Sequence, residues 1–358
     1  MAGNSIGKIF SLTSFGESHG AGIGGIIDGC PPRIVIDLEF IQSELNRRRP
    51  GQSDLSSQRD ENDQIEFLSG IMDGITTGAP IAFVVRNKDA QSGDYDHLKQ
   101  TFRPSHADYT WQQKFGIRDH RGGGRSSARE TISRVVAGAI AKLCLRTYGI
   151  EINAYTSAIA ELEMEPSDFW FEKTLIESSA VRCPDPNLSL RMEELIRQTK
   201  EEGDTLGGVI SCQMKGLPIG LGEPVFHKFH ADLAHAVMGI NAVKAFEVGS
   251  GFAGCRSKGS MQNDRFVTEK GQVRTMTNHS GGVQGGITNG EMVYFRVGFK
   301  PVATLMQSQQ SIDIQGNEVV IEPKGRHDVC VVPRAVPIVE AMASLVTLDH
   351  LLQFKAYQ

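Results

Sequence analysis

Apolar residues recur at helical spacing in several long segments, and they alternate or run together in shorter ones. The clearest pattern predicts an amphipathic helix over 127–147 that ends near Gly149, with Ile132, Val135, Val136, Ala139, Ile140 and Leu143 on its apolar face. Similar spacing and end signals predict helices over 38–48, 106–115, 189–202, 231–245 and 334–353. Shorter apolar runs between glycine-rich turns predict strands over 5–14, 23–28, 81–86, 150–161, 207–214, 246–252, 292–299 and 318–322.

The order of these elements indicates an α+β fold. Strands and helices alternate irregularly, which favours a sandwich over a doubly wound nucleotide-binding sheet. The glycine stretch 20–25 lacks the spacing G-x-G-x-x-G, and a strand rather than a helix follows it. A dinucleotide-binding fold is therefore rejected, and a single domain over residues 1–358 is expected.

A weak internal repeat relates two halves of the chain, roughly 1–155 and 205–358. Residues 70–88 align without gaps on 282–300, and each copy is typical of a glycine turn followed by a strand. The positions with identical residues are Gly70, Gly74, Ile75, Thr76, Gly78, Phe83, Val85 and Lys88 of the first copy. We interpret this as a pseudo-duplicated α/β unit within one domain. The alternative is chance similarity between two short glycine turns.

Composition and charge narrow the class of protein. The chain has 358 residues, of which 40% are hydrophobic and 22% charged, as in an ordinary globular protein. Its net charge of −5 argues against general binding of nucleic acid. Arginines nevertheless gather beside glycine loops, which indicates a small polyanionic ligand.

Cysteine and histidine spacing argues against disulfides and metal sites. The six cysteines form no C-x-x-C pair, so we expect reduced thiols. No histidine pair has the spacing H-x-x-x-H or H-E-x-x-H, so no metal site is predicted. The first residues lack the apolar run of a signal peptide, and no window approaches 18 apolar residues. We therefore expect a cytoplasmic protein without a membrane span.

Three consecutive glycines, Gly122 to Gly124, lead through Ser126 and Ser127 into the predicted helix 127–147. The first N–H groups and the positive dipole end of that helix would point into the glycine segment, which arginines flank on both sides. Backbone donors, helix dipole and guanidinium groups together favour a strongly anionic ligand. The alternative is a flexible loop with solvated arginines.

Two histidines and one aspartate are candidates for proton transfer. His19 lies between glycines at the end of a predicted strand and should face a loop-built cavity. Ser105 and Asp108 form a capping-box pattern that predicts His106 in the first turn of a helix, where a bound phosphate would favour the charged imidazole. Asp328 follows a basic segment and is either a salt-bridged carboxylate or a general base. For both histidines a structural role is the alternative.

Motifs along essentially the whole chain resemble those of the chorismate synthase family. They are Phe-Gly-Glu-Ser-His-Gly (15–20), Arg-Arg-Arg-Pro-Gly (47–51), Arg-Pro-Ser-His-Ala-Asp-Tyr-Thr (103–110), Arg-Gly-Gly-Gly-Arg-Ser-Ser-Ala-Arg-Glu-Thr (121–131), Gly-Leu-Gly-Glu-Pro-Val-Phe (220–226), Ile-Asn-Ala-Val-Lys (240–244), Gly-Arg-His-Asp (325–328) and Pro-Arg-Ala-Val-Pro-Ile-Val-Glu-Ala-Met (333–342). They follow one another in the family's order and spacing, so the set is highly specific. The resemblance implies the family's β-α-β sandwich.

The resemblance also implies the family's reaction. This is the 1,4-anti elimination of phosphate from 5-enolpyruvylshikimate 3-phosphate to give chorismate, the last step of the shikimate pathway. It implies a need for reduced FMN without net redox change, and it is consistent with a homotetramer. The substrate carries two carboxylates and a phosphate, which a ring of arginines would suit. NADPH or an external flavin reductase is the implied electron source, and the reductase is favoured because no reductase domain is present.

Residue roles follow from the same resemblance. Substrate anions are expected to bind Arg48, Arg125, Arg129 and Arg334. The flavin is expected to contact Arg125, Ser126, Ser127, Asn241, Ala242, Gly285, Lys300, Pro301, Val302, Ala303, Thr304 and Arg326. His106 would protonate or stabilise the departing phosphate, His19 would set the protonation state of the reduced flavin, and Asp328 would help to remove the C6 proton near flavin N5. Asp54 stands where many family members have an arginine, which argues against contact between its loop and the nicotinamide of NADPH.

Two other classes of function stay open at this point. One is an FMN oxidoreductase acting on an anionic metabolite, which would oxidise its flavin in net terms. The other is a non-catalytic protein that binds polyanions, which would need no flavin and would tolerate substitution of His19 or His106.

Overall fold

The computed structural model describes residues 3–52, 55, 63–87, 98–165, 169–322 and 328–358. Its first elements are β1 (Ser5–Ile6), β2 (Ser11–Gly16), β3 (Gly22–Asp28), α1 (Leu38–Arg48), β4 (Ile65–Phe67), β5 (Ile71–Met72), β6 (Ile75–Thr76) and β7 (Ile81–Arg86). Next come α2 (Asp108–Phe115), α3 (Thr131–Arg146), β8 (Glu151–Ile159), β9 (Leu162–Glu163), α4 (Lys173–Ile176), α5 (Pro186–Glu202), β10 (Gly208–Lys215), α6 (Phe229–Met238) and β11 (Val243–Val248). The last are α7 (Gly251–Gly254), α8 (Gly259–Gln262), β12 (Phe266–Glu269), β13 (Gln272–Thr275), β14 (Val283–Gln284), β15 (Ile287–Thr288), β16 (Val293–Phe299), β17 (Gln309–Ile312), β18 (Glu318–Ile321) and α9 (Val332–Ala356).

Two five-stranded antiparallel sheets lie on either side of the long helices. The first sheet has the strand order β1-β2-β3-β7-β4, and the second has the order β11-β16-β10-β8-β9. α3 packs on β2 and β3 of the first sheet, α9 packs on β8 and β10 of the second, and the two helices pack on each other. A single cluster of buried apolar residues runs through both sheets and these helices. The predicted α+β sandwich is confirmed.

Helix boundaries follow the capping residues. α1 begins after Asp37, whose carboxylate accepts a backbone hydrogen bond at 2.9 Å, and its span is as predicted. α5 begins at Pro186, earlier than the predicted start at 189. The carboxylate of Asp185 accepts two backbone N–H bonds there, at 2.9 and 3.0 Å, and proline suits the first helical turn.

The predicted strand 5–14 is interrupted by a long-range contact. Asp349 of α9 accepts hydrogen bonds from the backbone N–H groups of Lys8, Ile9 and Phe10 at 3.1, 2.7 and 3.0 Å. These donors are therefore not available to a sheet, and pairing resumes only at Ser11. The single predicted strand is wrong, and two strands stand in its place.

The predicted helix 231–245 extends too far. α6 ends at Met238, and Ala242 has a left-handed φ of 68°, which turns the chain away from the helix axis. Residues 243–248 then pair with β16 at the edge of the second sheet. The strand predicted over 246–252 therefore begins earlier, at Val243, and ends at Val248. Its first residues pair with β16 instead of continuing the predicted helix.

α3 is buried on its polar positions as well as on its predicted apolar face, which its amphipathic pattern did not indicate. Every residue from 131 to 145 is buried except Arg134, because the first sheet, α1 and α9 surround the helix. Gly138 permits the closest approach, since a Cβ built on it would lie 2.3 Å from the Cα of Ala341 in α9. Glycine is therefore required where these two helices cross.

α9 confirms the helix predicted over 334–353. Its 25 residues are long and apolar enough by composition to cross a bilayer. In the folded chain, however, 94% of its apolar window is buried. The apolar character of α9 is therefore that of a core helix.

The two copies of the internal repeat share their structure. Under the gapless alignment, β5 and β6 fall on β14 and β15, and β7 falls on the start of β16. The aligned glycine pairs all have positive φ: Gly70 and Gly282, Gly74 and Gly286, Gly78 and Gly290. Thr76 and Thr288 are both buried, and each hydroxyl accepts a backbone N–H at 2.9 Å and donates to a proline carbonyl at 2.7 Å. Chance similarity does not predict these shared contacts, and duplication of the whole halves stays a prediction.

A buried ion cluster joins α1, α3 and α9. Glu340 accepts hydrogen bonds from Arg47 at 2.7 and 3.0 Å, and Lys142 lies between Glu340 and Glu44 at 2.5 Å from each. Lys173 also donates to Glu44 at 2.6 Å. Burial would raise the pKa of Glu44, but the surrounding cations lower it to about 2. The cluster therefore holds its carboxylates ionised inside the core.

The six cysteines are free thiols, and all except Cys255 are buried. Burial raises the pKa of Cys183 to about 11 and that of Cys330 to about 12, which makes both thiols poor nucleophiles. Within the described ranges, no group of three or more histidine, cysteine or acidic side chains is arranged to hold a metal ion.

Candidate functional site

Three left-handed glycines shape the centre of the arginine–glycine motif. Gly122, Gly123 and Gly124 have φ values of 63°, 85° and 53°, which residues with a side chain rarely adopt. A Cβ on Gly122 would lie 2.5 Å from Nε2 of His19, and one on Gly123 would lie 3.5 Å from Cε1 of His106. The segment Gly122–Gly124, here called the glycine loop, therefore brings both predicted histidines together because it carries no side chains.

The α-helix does not begin at the serines. Gly124–Ser126 and Ala128–Glu130 form short 3₁₀ turns, and α3 begins only at Thr131. Ser127 caps the second turn by accepting the N–H of Arg129 at 3.4 Å. We predicted that the first N–H groups of α3 point into the glycine loop. This prediction is wrong, because the 3₁₀ turn Ala128–Glu130 lies between the glycine loop and the start of α3.

Arg125 and Ser126 attach the glycine loop to its surroundings. The guanidinium of Arg125 donates to the hydroxyl of Ser14 at 2.7 Å and to the side-chain oxygen of Asn4 at 2.9 Å. The hydroxyl of Ser126 donates to the carbonyl of Gly123 at 2.7 Å. Arg125 thus ties the loop to the first sheet, whatever contact it makes with a ligand.

His19 lies in the loop between β2 and β3. Asn87, at the end of β7, holds this loop by donating to the carbonyl oxygens of Glu17 and Gly20 at 2.9 Å each. The backbone N–H of Ser18 reaches the carbonyl of Gly124 at 3.5 Å. His19 therefore faces the glycine loop from the side of the first sheet.

The predicted capping box at Ser105 and Asp108 is wrong. Ser105 has a left-handed φ of 57°, and α2 begins at Asp108 without a side-chain cap. The carboxylate of Asp108 binds Arg103 instead, accepting from its guanidinium at 2.8 and 3.0 Å. His106 consequently lies before the helix, with its Nδ1 2.9 Å from Asp108.

A buried aspartate joins two of the predicted substrate-binding arginines. Asp63 is fully buried, and its two oxygens lie 2.7 Å from Arg48 and 3.1 Å from Arg129. Nε of Arg129 also donates to Asn87 at 2.7 Å, which connects the arginines to the loop of His19. Nε of Arg48 is a buried donor without a hydrogen-bond partner in the described part of the chain. An anionic oxygen would satisfy it.

Arg334, near the start of α9, extends this network. Its Nε donates to the carbonyl oxygen of Arg48 at 3.2 Å, and its terminal nitrogen contacts the carboxylate of Asp328. Asp328 is thus a salt-bridged carboxylate beside a predicted substrate arginine. Arg326 and Asp54 lie outside the described residues.

Residues from the second half of the chain meet the glycine loop on its other side. Asn241 donates to the carbonyl of Ser126 at 2.9 Å, while its own Oδ1 is a buried acceptor without a partner among the described residues. The backbone N–H of Lys300 donates to the carbonyl of Ala242 at 3.0 Å. Nζ of Lys300 reaches the carbonyl of Ser105 at 3.3 Å, next to His106.

The remaining predicted flavin contacts are placed less closely. Pro301, Val302, Ala303 and Thr304 continue from Lys300 without regular structure, and the carbonyl of Val302 accepts the hydroxyl of Thr205 at 2.8 Å. Gly285 lies in the β14–β15 turn, where a Cβ would meet nothing within 4 Å. Among the described residues, no hydrogen bond joins Gly285 to the glycine loop.

Local sequence patterns gave no indication of the residues that organise these contacts. Asp63 follows an acidic stretch, and Asn87 simply ends a strand. Asp108 was visible only as part of a capping pattern. Their importance arises from partners distant in sequence, so no spacing rule could have revealed it.

Comparisons with known proteins identify the family of this chain. Residues 10–352 match the protein family described as Chorismate synthase. A chorismate synthase of Bacteroides thetaiotaomicron is 59% identical over 355 residues, covering 99% of both chains. One of Christiangramia forsetii is 56% identical over 356 residues, again 99% of both. A chain described as a crystal structure of chorismate synthase has a TM-score of 0.78 at 30% identity, covering 97% of this chain and 93% of the other. The resemblance drawn from the motifs is confirmed, and the chain belongs to the chorismate synthase family.

Proposed function

We propose that this protein is a chorismate synthase. As a carbon–oxygen lyase, it eliminates phosphate from 5-enolpyruvylshikimate 3-phosphate to give chorismate, the final step of the shikimate pathway. One observation carries the assignment beyond family membership. Arg48 and Arg129 share the buried carboxylate of Asp63, Arg334 contacts Asp328, and His19 and His106 both approach the glycine loop.

The grouping of three arginines supports an anionic substrate. Arg48 and Arg129 both contact the carboxylate of Asp63, and Arg334 contacts Asp328 and the carbonyl oxygen of Arg48. The unsatisfied Nε of Arg48 supplies a buried donor that an anion would complete. We assign the substrate phosphate and carboxylates to Arg48, Arg129 and Arg334, with Arg125 as a further contact.

The residues around the glycine loop fit reduced FMN. A flat ring with N–H donors and carbonyl acceptors suits a surface without Cβ atoms, and the free Oδ1 of Asn241 offers a buried acceptor. The predicted contacts are Arg125, Ser126, Ser127, Asn241, Ala242, Gly285, Lys300, Pro301, Val302, Ala303, Thr304 and Arg326. When bound, reduced FMN would supply electron density for cleavage of the C–O bond in a reaction without net redox change.

Side chains of the protein carry out the proton transfers. His106 directs Nδ1 toward Asp108, so Nε2 is left to protonate or stabilise the departing phosphate. Asp328, whose carboxylate contacts Arg334, helps to remove the C6 proton near flavin N5. His19, which lies against Gly122, would set the protonation state of the reduced flavin.

We further propose a cytoplasmic homotetramer that receives reduced flavin from an external reductase and binds neither nucleic acid nor metal. NADPH as a direct electron source is the competing arrangement. Side-by-side assays with and without NADPH, each supplied with oxidised FMN, distinguish the two.

An oxygen-free assay with dithionite-reduced FMN tests the reaction itself. We expect chorismate absorbance and phosphate to appear in equal amounts while the flavin stays reduced. Net flavin oxidation would support the oxidoreductase alternative instead. His106→Ala should bind FMN nearly as well as the parent while turnover falls roughly 10²–10⁴-fold. Turnover within about twofold of the parent would remove His106 from the mechanism.

A further inference from the structure

Asp108 lies at the centre of a buried group of hydrogen-bond donors. It is 4% exposed. Its carboxylate accepts the Nε and Nη2 of Arg103 at 2.8 and 3.0 Å, and the backbone N–H of the same residue at 3.2 Å. Nη1 of Arg118 lies 3.2 Å from Oδ1, and Nδ1 of His106 lies 2.9 Å from the same oxygen.

These partners fix the charge of the carboxylate. Burial alone would raise the pKa of Asp108, but hydrogen bonds from His106 and Arg103 hold it well below its usual range. An ionised carboxylate accepts hydrogen bonds and donates none. Nδ1 of His106 lies 2.9 Å from this carboxylate, and a proton on that nitrogen would let the ring donate to it.

The other edge of the His106 ring faces the candidate site. A Cβ at Gly123 would lie 3.5 Å from its Cε1 and 3.8 Å from its Nε2, and the same point is 3.1 Å from the hydroxyl of Ser126. Nζ of Lys300, at 3.3 Å from the carbonyl of Ser105, adds positive charge beside this edge. The two ring nitrogens thus have separate surroundings, a buried carboxylate for Nδ1 and the glycine loop for Nε2.

We propose that Asp108 is a positioning residue that holds a proton on Nδ1 of His106, so that the imidazolium gives only its Nε2 proton to the leaving phosphate and the ring is left neutral with its remaining proton on Nδ1. The proposal rests on the proposed function, in which His106 meets that phosphate. Asp108 stays ionised throughout and takes no proton itself, as the aspartate of a Ser-His-Asp triad does for its histidine. Arg103 and Arg118 hold the carboxylate in place for this role.

A measurement on the unaltered protein tests the tautomer without any kinetic assumption. Proton–nitrogen correlation spectra of protein labelled with ¹⁵N-histidine distinguish a proton on Nδ1 from one on Nε2. The His106 signal is assigned by its loss in His106→Ala. We expect neutral His106 to be protonated on Nδ1. Protonation on Nε2 would overturn the proposal, even if the enzyme proved to catalyse a different reaction.

Asp108→Asn then tests the consequence for turnover. We expect kcat to fall roughly 10–100-fold, the usual effect of losing an orienting partner, with KM for the substrate within about threefold. The His106→Ala/Asp108→Asn double variant should be no slower than His106→Ala, because Asp108 acts through that ring. Losses that multiply in the double variant would show an independent structural role and overturn the proposal.

Asp119→Asn is the matched control. Asp119 also pairs with an arginine near the glycine loop, at 2.9 Å from Arg121, but none of its described hydrogen bonds or ion pairs joins it to His106. The same substitution there should leave kcat within about threefold. If Asp119→Asn and Asp108→Asn slow turnover equally, loss of a local ion pair explains both, and the positioning role is refuted. If the parent makes no chorismate, the proposed function fails while the tautomer measurement still decides the role of Asp108.

Discussion

Replacing Gly138 by alanine should force α3 and α9 apart where they cross. The added Cβ would lie 2.3 Å from both the Cα and the Cβ of Ala341 and 2.8 Å from its carbonyl oxygen. Carbon atoms in favourable contact lie about 3.5–4.0 Å apart, so the helices must separate locally by more than about 1 Å. Two of the three obstructing atoms belong to the backbone, so no side-chain rotation relieves the contact.

Two opposing contributions set the size of this effect. Alanine in place of glycine inside a helix stabilises by about 1 kcal/mol, whereas an extra carbon in a packed core costs about 1–3 kcal/mol. Contact with backbone atoms places the cost at the upper end of that range. We therefore expect the free energy of unfolding to fall by about 2 kcal/mol, which corresponds to a Tm roughly 3 °C lower for a chain of this length.

Thermal unfolding followed by circular dichroism measures this change. Gly259→Ala is the control, because a Cβ there meets nothing within 4 Å and the backbone is not left-handed. Its Tm should stay close to that of the parent. Arg129 precedes α3 and Arg334 lies near the start of α9, so Gly138→Ala should also raise KM for the substrate. A Tm for Gly138→Ala at or above the parent value would refute the reasoning.

Three further predictions concern buried charge. Asp63→Asn should raise KM for the substrate in steady-state assays and lower the free energy of unfolding by about 3–5 kcal/mol, because Arg48 and Arg129 lose their shared carboxylate. An unchanged KM would contradict the anion site. Glu340→Gln should lower stability in denaturant unfolding by a similar amount, about 3–5 kcal/mol, since the buried ion cluster keeps its cations but loses one anion. Burial lowers the pKa of His350, so its stabilising contribution is complete above its ordinary pKa of about 6.5 and is lost as the pH falls below that value. The fall in Tm between about pH 7 and pH 5 should therefore be smaller in His350→Gln than in the parent, and equal falls would contradict this sign.

Elements with strong local signals were predictable from the sequence. α1 has an apolar face and an aspartate cap, and β7 is a short apolar run after a glycine turn, so both have the predicted bounds. Elements whose bounds depend on distant partners were not predictable. The break between β1 and β2 requires the carboxylate of Asp349, and the early end of α6 requires pairing of its following residues with β16.

The same distinction applies to the candidate site. Motifs identified His19, His106 and the arginines as side chains of interest, and the structure brings them near one glycine loop. Motifs could not show that Asp63 connects two arginines from separate elements. They also misassigned Asp108, because a capping box and an arginine-bound carboxylate have the same local sequence.

The enclosure of α3 by α9 has a consequence for biosynthesis. Every other described element leaves the ribosome before α9, so the apolar surface that α9 covers on α3 stays open while the intervening chain is made. At about 5–20 residues per second, that interval lasts on the order of ten seconds. The nascent protein should therefore expose an apolar helical surface to chaperones and neighbouring chains, and its core should be completed only after α9 has been translated.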